Sequence, residues 1–175
     1  AKVNQENLKR NTPLHAAAQK GRTGAIEELI AAGAEVNQRN IKGLTALHVA
    51  AQSGHTEVIR GLIAAGVEVN QADDNNFTAL QLAAFYDHAE AIEKLIAGGA
   101  DVNQVGNDSS TALHLAAQDG HIEAIEKLIA GKADVNQADD FAFTALHLAA
   151  QNGHTEVIER LIAAGANVNQ ETKDG

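Results

Sequence analysis

Residues 111–137 read TALHLAAQDGHIEAIEKLIAGKADVNQ, and the fold turns on how this stretch is parsed. Thr111 is a good helix N-cap, because its hydroxyl can accept from an amide left unpaired in the first turn. Leu113, Ala116 and Ala117 then give a short helix whose small apolar face lets another helix come close. Asp119-Gly120-His121 breaks that helix, with Gly120 free to turn left-handed. Ile122, Ile125, Leu128 and Ile129 follow at i, i+3, i+6 and i+7, the spacing of a second amphipathic helix. Glu123 and Lys127 stand at i, i+4 on its polar side, as do Glu90/Lys94 and Glu156/Arg160, and each pair is expected to bond within its own helix. A glycine closes the second helix at Gly33, Gly66, Gly99 and Gly165. Lys132 stands there in this copy, at an expected cost of about 1 kcal/mol if the left-handed turn is kept.

The same unit recurs. Thr12-Pro13-Leu14-His15, Thr45-Ala46-Leu47-His48, Thr78-Ala79-Leu80-Gln81, Thr111-Ala112-Leu113-His114 and Thr144-Ala145-Leu146-His147 are spaced by 33 residues with no insertion. A fixed period of this length signals stacked helix–turn–helix units, none able to bury its apolar face alone. The expectation is an all-α single array over 1–175, with repeats at about 5–37, 38–70, 71–103, 104–136 and 137–169 and a partial sixth at 170–175. The first five residues read as the tail of a preceding repeat and the last as the opening of another, in keeping with a piece of a longer array.

These features resemble the ankyrin repeat family over essentially the whole chain. Thr12-Pro13-Leu14-His15-Ala16-Ala17 matches its signature in full, and Gly54-His55 and Gly165-Ala166-Asn167-Val168-Asn169 match its later stretches. The resemblance implies a right-handed solenoid of antiparallel helix pairs, with hairpin-like loops projecting to one side and a concave groove that binds other proteins. Gln81 and Arg22 for His, Asp87 and Lys132 for Gly, and Ala for four of the five signature prolines depart from the pattern.

Composition narrows the function classes. Apolar residues make up 45% and aromatic ones 3%, so the core is built of Ala, Leu, Ile and Val. No run reaches the roughly 18 apolar residues of a membrane span, and no signal-peptide layout opens the chain. Zero Cys removes disulfides and thiolate metal sites and suits a cytoplasmic or otherwise intracellular setting. The net charge of −10 argues against nucleic acid. Residues 1–42 nevertheless carry seven bases and four acids, whereas the remainder carries six bases and nineteen acids. A partner of the central and C-terminal repeats is therefore expected to be basic.

Eight histidines invite a metal or acid–base proposal, but internal alignment accounts for them. His15, His48, His114 and His147 share one repeat position, and His55, His88, His121 and His154 another. Equivalent positions in stacked helices lie about 10 Å apart, whereas zinc gathers its ligands within about 2 Å. Neutral histidines bonding Thr and backbone groups are expected. Asp73-Asp74 and Asp139-Asp140 lack the alternating oxygens and closing Glu of a calcium loop, and Ser109-Ser110 has neither a glycine elbow nor a paired base. No catalytic residue, metal or cofactor is expected.

Function is expected where the copies disagree. The connectors differ in every repeat, and so do the two residues after Leu-x-Ala-Ala. All five rings (Phe77, Phe85, Tyr86, Phe141, Phe143) fall in these positions. Rings among polar residues anchor protein interfaces. The resemblance assigns such sites to the loop tips and the groove side of the first helix. With Asn75, Asn107, Asp108 and Ser110 between them and Asp74, Asp119 and Asp140 as an acidic rim, they form the expected binding set for a protein partner with apolar and basic surface. A monomer without membrane contact is expected. The varied positions resemble those of designed ankyrin repeat binders, while framework drift such as Val49 against Leu82 and Val67 against Ala100 argues against a strict consensus; natural fragment and engineered array both stand. The alternatives are an assembly scaffold or self-associating array, or, as the resemblance implies, a substrate of an asparaginyl hydroxylase at Asn103 or Asn136.

Overall fold

A computed structural model describes residues 2–173; Ala1, Asp174 and Gly175, and with them the last residues of the partial sixth repeat, lie outside the described residues. Among the described residues ten α-helices follow in five pairs: α1 Pro13–Gln19 and α2 Thr23–Ala31, α3 Ala46–Gln52 and α4 Thr56–Ala64, α5 Ala79–Phe85 and α6 Ala89–Ala97, α7 Ala112–Asp119 and α8 Ile122–Ala130, α9 Ala145–Gln151 and α10 Thr155–Ala163. The first helices of the pairs stack in one row and the second helices in another.

Each first helix begins at a threonine in extended backbone, as the sequence predicts. Its small face is what makes the row possible. Ala50, Ala51, Ala83, Ala84, Ala116 and Ala117 are fully buried between neighbours. Leu14, Leu47, Leu80 and Leu113 fill the space toward the second row, where Ile59, Leu62, Ile92, Leu95, Ile125 and Leu128 close one continuous core. Left-handed backbone recurs at the predicted glycines Gly33, Gly66, Gly99 and Gly165, and Lys132 keeps it at φ 69°. Asp87, in place of a glycine, likewise keeps φ 57°.

The polar side of the second row departs from the expected pairing. Of the three i, i+4 pairs, only Glu156–Arg160 forms, at 3.1 Å. Lys127 passes over Glu123 and bonds Glu93 of the preceding pair at 2.6 Å, holding that carboxylate below its usual range. Arg160 also reaches back, to Glu126 at 3.2 Å. Lys and Arg side chains are long enough to reach an acid on the neighbouring stacked helix as well as one a turn away on their own, so the stack competes with the i, i+4 pairing.

Candidate interaction face

The loops between pairs are built on one device. Asn40 accepts the amides of Lys42 and Leu44 through its side chain, and its own amide bonds the Leu44 carbonyl at 2.9 Å. Asn7, Asp73 and Asp139 close their loops in the same way. Gly106 stands at this position in the fourth loop and offers no side chain. There a 3-10 turn over Asn107–Ser109 forms instead, with Asp108 and Ser109 both at positive φ. Adjacent loop tips are bonded to one another, Ile41 to Lys9, Asp74 to Lys42 and Asp140 to Asp108 through backbone amides. Asn107 completes the series with its carboxamide, which donates to the Asn75 carbonyl at 2.8 Å.

The histidines hold this face in place. The Thr12 amide donates to His15 Nδ1 at 3.2 Å, so the ring proton sits on Nε2, which donates to the Leu44 carbonyl of the next unit at 2.9 Å. His48 and His114 repeat the bond to Phe77 and Phe143. Burial pushes the pKa of all three below its ordinary value. Gln81 copies the arrangement without a titratable group: Oε1 accepts the Thr78 amide at 2.8 Å, and Nε2 donates to the Gln104 and Ser110 carbonyls. The second set faces backward, His55, His88, His121 and His154 reaching Gln19, Gln52, Phe85 and Gln118 carbonyls of the preceding unit. The rings of His55, His88 and His154 lie against Gly21, Gly54 and Gly120, where a Cβ would come within 2.8 Å.

On this frame the five aromatic residues separate into two groups. Phe85 and Tyr86 are each 43% exposed and meet edge to face at 5.0 Å. Tyr86 leans toward the second pair, its hydroxyl accepting from Gln52 at 3.1 Å. With Phe77 and Leu82 they form one wall of a recess of about 220 Å³ whose other wall includes Lys42 and Leu44. Phe141, 57% exposed, and Phe143 belong to the fifth unit, two periods on, and do not line this recess. Phe77 and Phe143 are half-buried, at a position where Leu44 also stands, and the Phe143 ring lies 5.6 Å from that of His147. These two rings therefore contribute to packing as well as to the surface.

Several of the polar members are already engaged within the chain. Asp74 pairs with Arg39 at 2.8 Å, Asp140 accepts from Ser109 at 2.7 Å, and the Ser110 carbonyl is bonded to Gly106 and Gln81. Asp119 stands 4.0 Å from His121. Asn103 and Asn136 accept the amides of Asp134 and Asn167 in the next unit. A wider, open trough of about 570 Å³ adjoins the recess and is lined by Lys9, Ile41, Lys42, Leu44 and Val49 among others. None of these five belongs to the expected set, which was drawn around rings and acids. Ile41, 60% exposed at a variable loop position, is the signal that an aromatic criterion passes over.

Among the described residues no helix is long and apolar enough to cross a membrane. The sequence profile described as ankyrin repeats (three copies) matches residues 14–106 and again 80–172. The chain belongs to the ankyrin repeat family. No curated protein matches it. Ankyrin repeats are in general protein-interaction modules, and a protein partner is the class of ligand that membership brings.

Proposed function

We propose that this ankyrin repeat protein is a non-catalytic binding module, a single array whose loop tips and first helices form the contact face for a protein partner in an intracellular setting. The observation that carries the reading is the Phe85–Tyr86 pair, two large rings held 43% open beside a recess rather than folded into the core. Large rings left partly exposed next to a concave surface are what interface anchors require. Phe141 extends the face, with Asp108, Asp119 and Asp140 supplying acidic edges suited to Lys or Arg on the partner.

The test compares proteins captured by the immobilised chain with those captured by Phe85→Ala/Tyr86→Ala and by Glu93→Ala/Glu126→Ala on the outer row. The reading expects the first variant to lose its captured protein, each ring contributing on the order of 2 kcal/mol, and the second to keep it. The reverse result would move the contact face to the outer helices. Self-association would appear as mass growth of the purified chain with concentration, and hydroxylation of Asn103 or Asn136 as the mass of one added oxygen.

A further inference from the structure

The open recess and the adjoining trough are one cleft, because both are lined by Lys42, Leu44, Gln52 and Tyr86. The cleft spans units one to three, and its charge is opposite to that of the rest of the chain. Lys9 and Lys42 are exposed, and neither has an ion-pair partner among the described residues. The two acids of the third loop are engaged elsewhere: Asp74 by Arg39 at 2.8 Å, and Asp73 by the amides of Asn75 and Phe77 at 2.9 and 2.8 Å. Lys20 stands at the repeat position of Ser53 and Tyr86, both of which line the cleft, so a third cation belongs to the same face. Residues 1–42 hold seven bases against four acids, and the remainder six against nineteen.

We propose that units one to three take an extended segment of a protein partner in which carboxylates lie to one side of a large apolar side chain. The apolar group enters the recess against Phe77, Phe85 and Tyr86, and the carboxylates lie along Lys9 and Lys42. The recess, about 220 Å³, has room for one large side chain, and the open trough of about 570 Å³ beside it continues as a channel for the rest of an extended segment. Beyond it the face becomes acidic through Asp108, Asp119 and Asp140. The potential along the face thus changes sign near the third unit, which favours the direction that keeps the partner's carboxylates over Lys9 and Lys42. This proposal rests on the concave-face reading above and adds the partner's chemistry.

The probe is a displayed library of random dodecapeptides, selected in parallel on the full chain and on Lys9→Glu/Lys42→Glu. Both changes are on exposed side chains, and an unchanged denaturant midpoint verifies the fold. The pool from the unchanged chain should be rich in Asp and Glu beside Leu, Ile or Phe. A synthetic peptide from that pool should bind the double variant roughly tenfold more weakly or worse and should weaken steeply with salt. Tyr86→Ala should weaken acidic and charge-reversed peptides alike. A pool without acidic preference, equal binding to the double variant, or no enriched peptide at all overturns the proposal. So does tight, Lys9-dependent binding of a single-stranded oligonucleotide, since the cleft would then read charge alone. Hydrogen-exchange footprints separate the two readings: protection over α3 and α5 by peptides of any charge sinks only the acidic assignment, whereas protection over α4 and α6 sinks the concave-face reading as well.

Discussion

Protonating a framework histidine here is a structural event, because each ring nitrogen already has a fixed role. In His48, Nδ1 accepts from the Thr45 amide at 3.1 Å, and a second ring proton would oppose that donor. The folded pKa of His15, His48 and His114 is depressed by burial, while the unfolded chain titrates near about 6.5. Unfolded chains therefore bind more protons below that value. Stability is complete above about pH 6.5 and is lost as pH falls through the folded pKa. His48→Gln, which installs the arrangement of Gln81, should narrow the drop in urea midpoint between about pH 7.5 and about pH 5 while leaving the fold intact. An unchanged drop would remove His48 from the acid response. Lys132 offers a second test. The equivalent glycines Gly33, Gly66, Gly99 and Gly165 have open space around a notional Cβ, so backbone angle is the only cost of a side chain there. Lys132→Gly should raise stability by about 0.5–1 kcal/mol, read as a higher urea midpoint. At this scale the sequence was legible where copies could be superposed: five versions of one site identified neutral histidines and left-handed glycines without coordinates. It was not legible for Lys127, whose choice of Glu93 over Glu123 depends on a stacking distance that no single repeat contains.

Loops were foreseen as the place of variation, yet their internal order rests on one small residue. Asp73 is buried and its carboxylate takes two backbone amides, work that Asn7 and Asn40 perform without charge. Asp73→Asn should therefore change the urea midpoint little, whereas Asp73→Ala should cost about 1–2 kcal/mol by leaving both amides without that acceptor. Equal losses in the two variants would mean that the charge, not the geometry, closes the loop. The same logic explains why the fourth loop differs, since Gly106 cannot supply the acceptor and the chain turns tightly through Asp108 and Ser109 instead. Recognising the family predicts hairpin-like loops in every repeat; only the missing side chain at position 106 reveals where that form gives way. The recess escaped the sequence for a related reason. Its walls come from residues more than 30 positions apart, and Leu44 and Lys42, two variable connector residues that are neither rings nor acids, stand out only once Tyr86 is seen on the opposite wall.

For the molecule as a whole, framework and face should separate cleanly under mutation. Leu113 is 1% exposed within the continuous core and Phe141 is 57% exposed on a loop tip. Leu113→Ala should cost about 2–5 kcal/mol, and Phe141→Ala should leave the urea midpoint nearly unchanged; similar losses would make Phe141 a structural ring. Beyond stability, the constant reach of the inter-unit bonds makes chain length an independent variable. The forward histidine bond to the loop carbonyl spans 29 residues and the backward one 36, in every copy that makes them. Excising 33 residues, 111–143, would hand the repeating inter-unit bonds to congruent partners: His154 would inherit Phe85 from His121, Asn103 would receive the amide of Asn167, and Arg160 would meet Glu93, while Ser109 would lose Asp140 and face Lys173. The shortened chain should fold with helical circular dichroism per residue near that of the parent. Removing 32 residues instead would shift the donors that reach across the junction off their acceptors and should uncouple the unfolding of the units on its two sides. Whole-unit recombination is therefore close to silent for this protein, while single-residue slippage is not, and the array can lengthen or shorten between ancestors and descendants only in steps of one period.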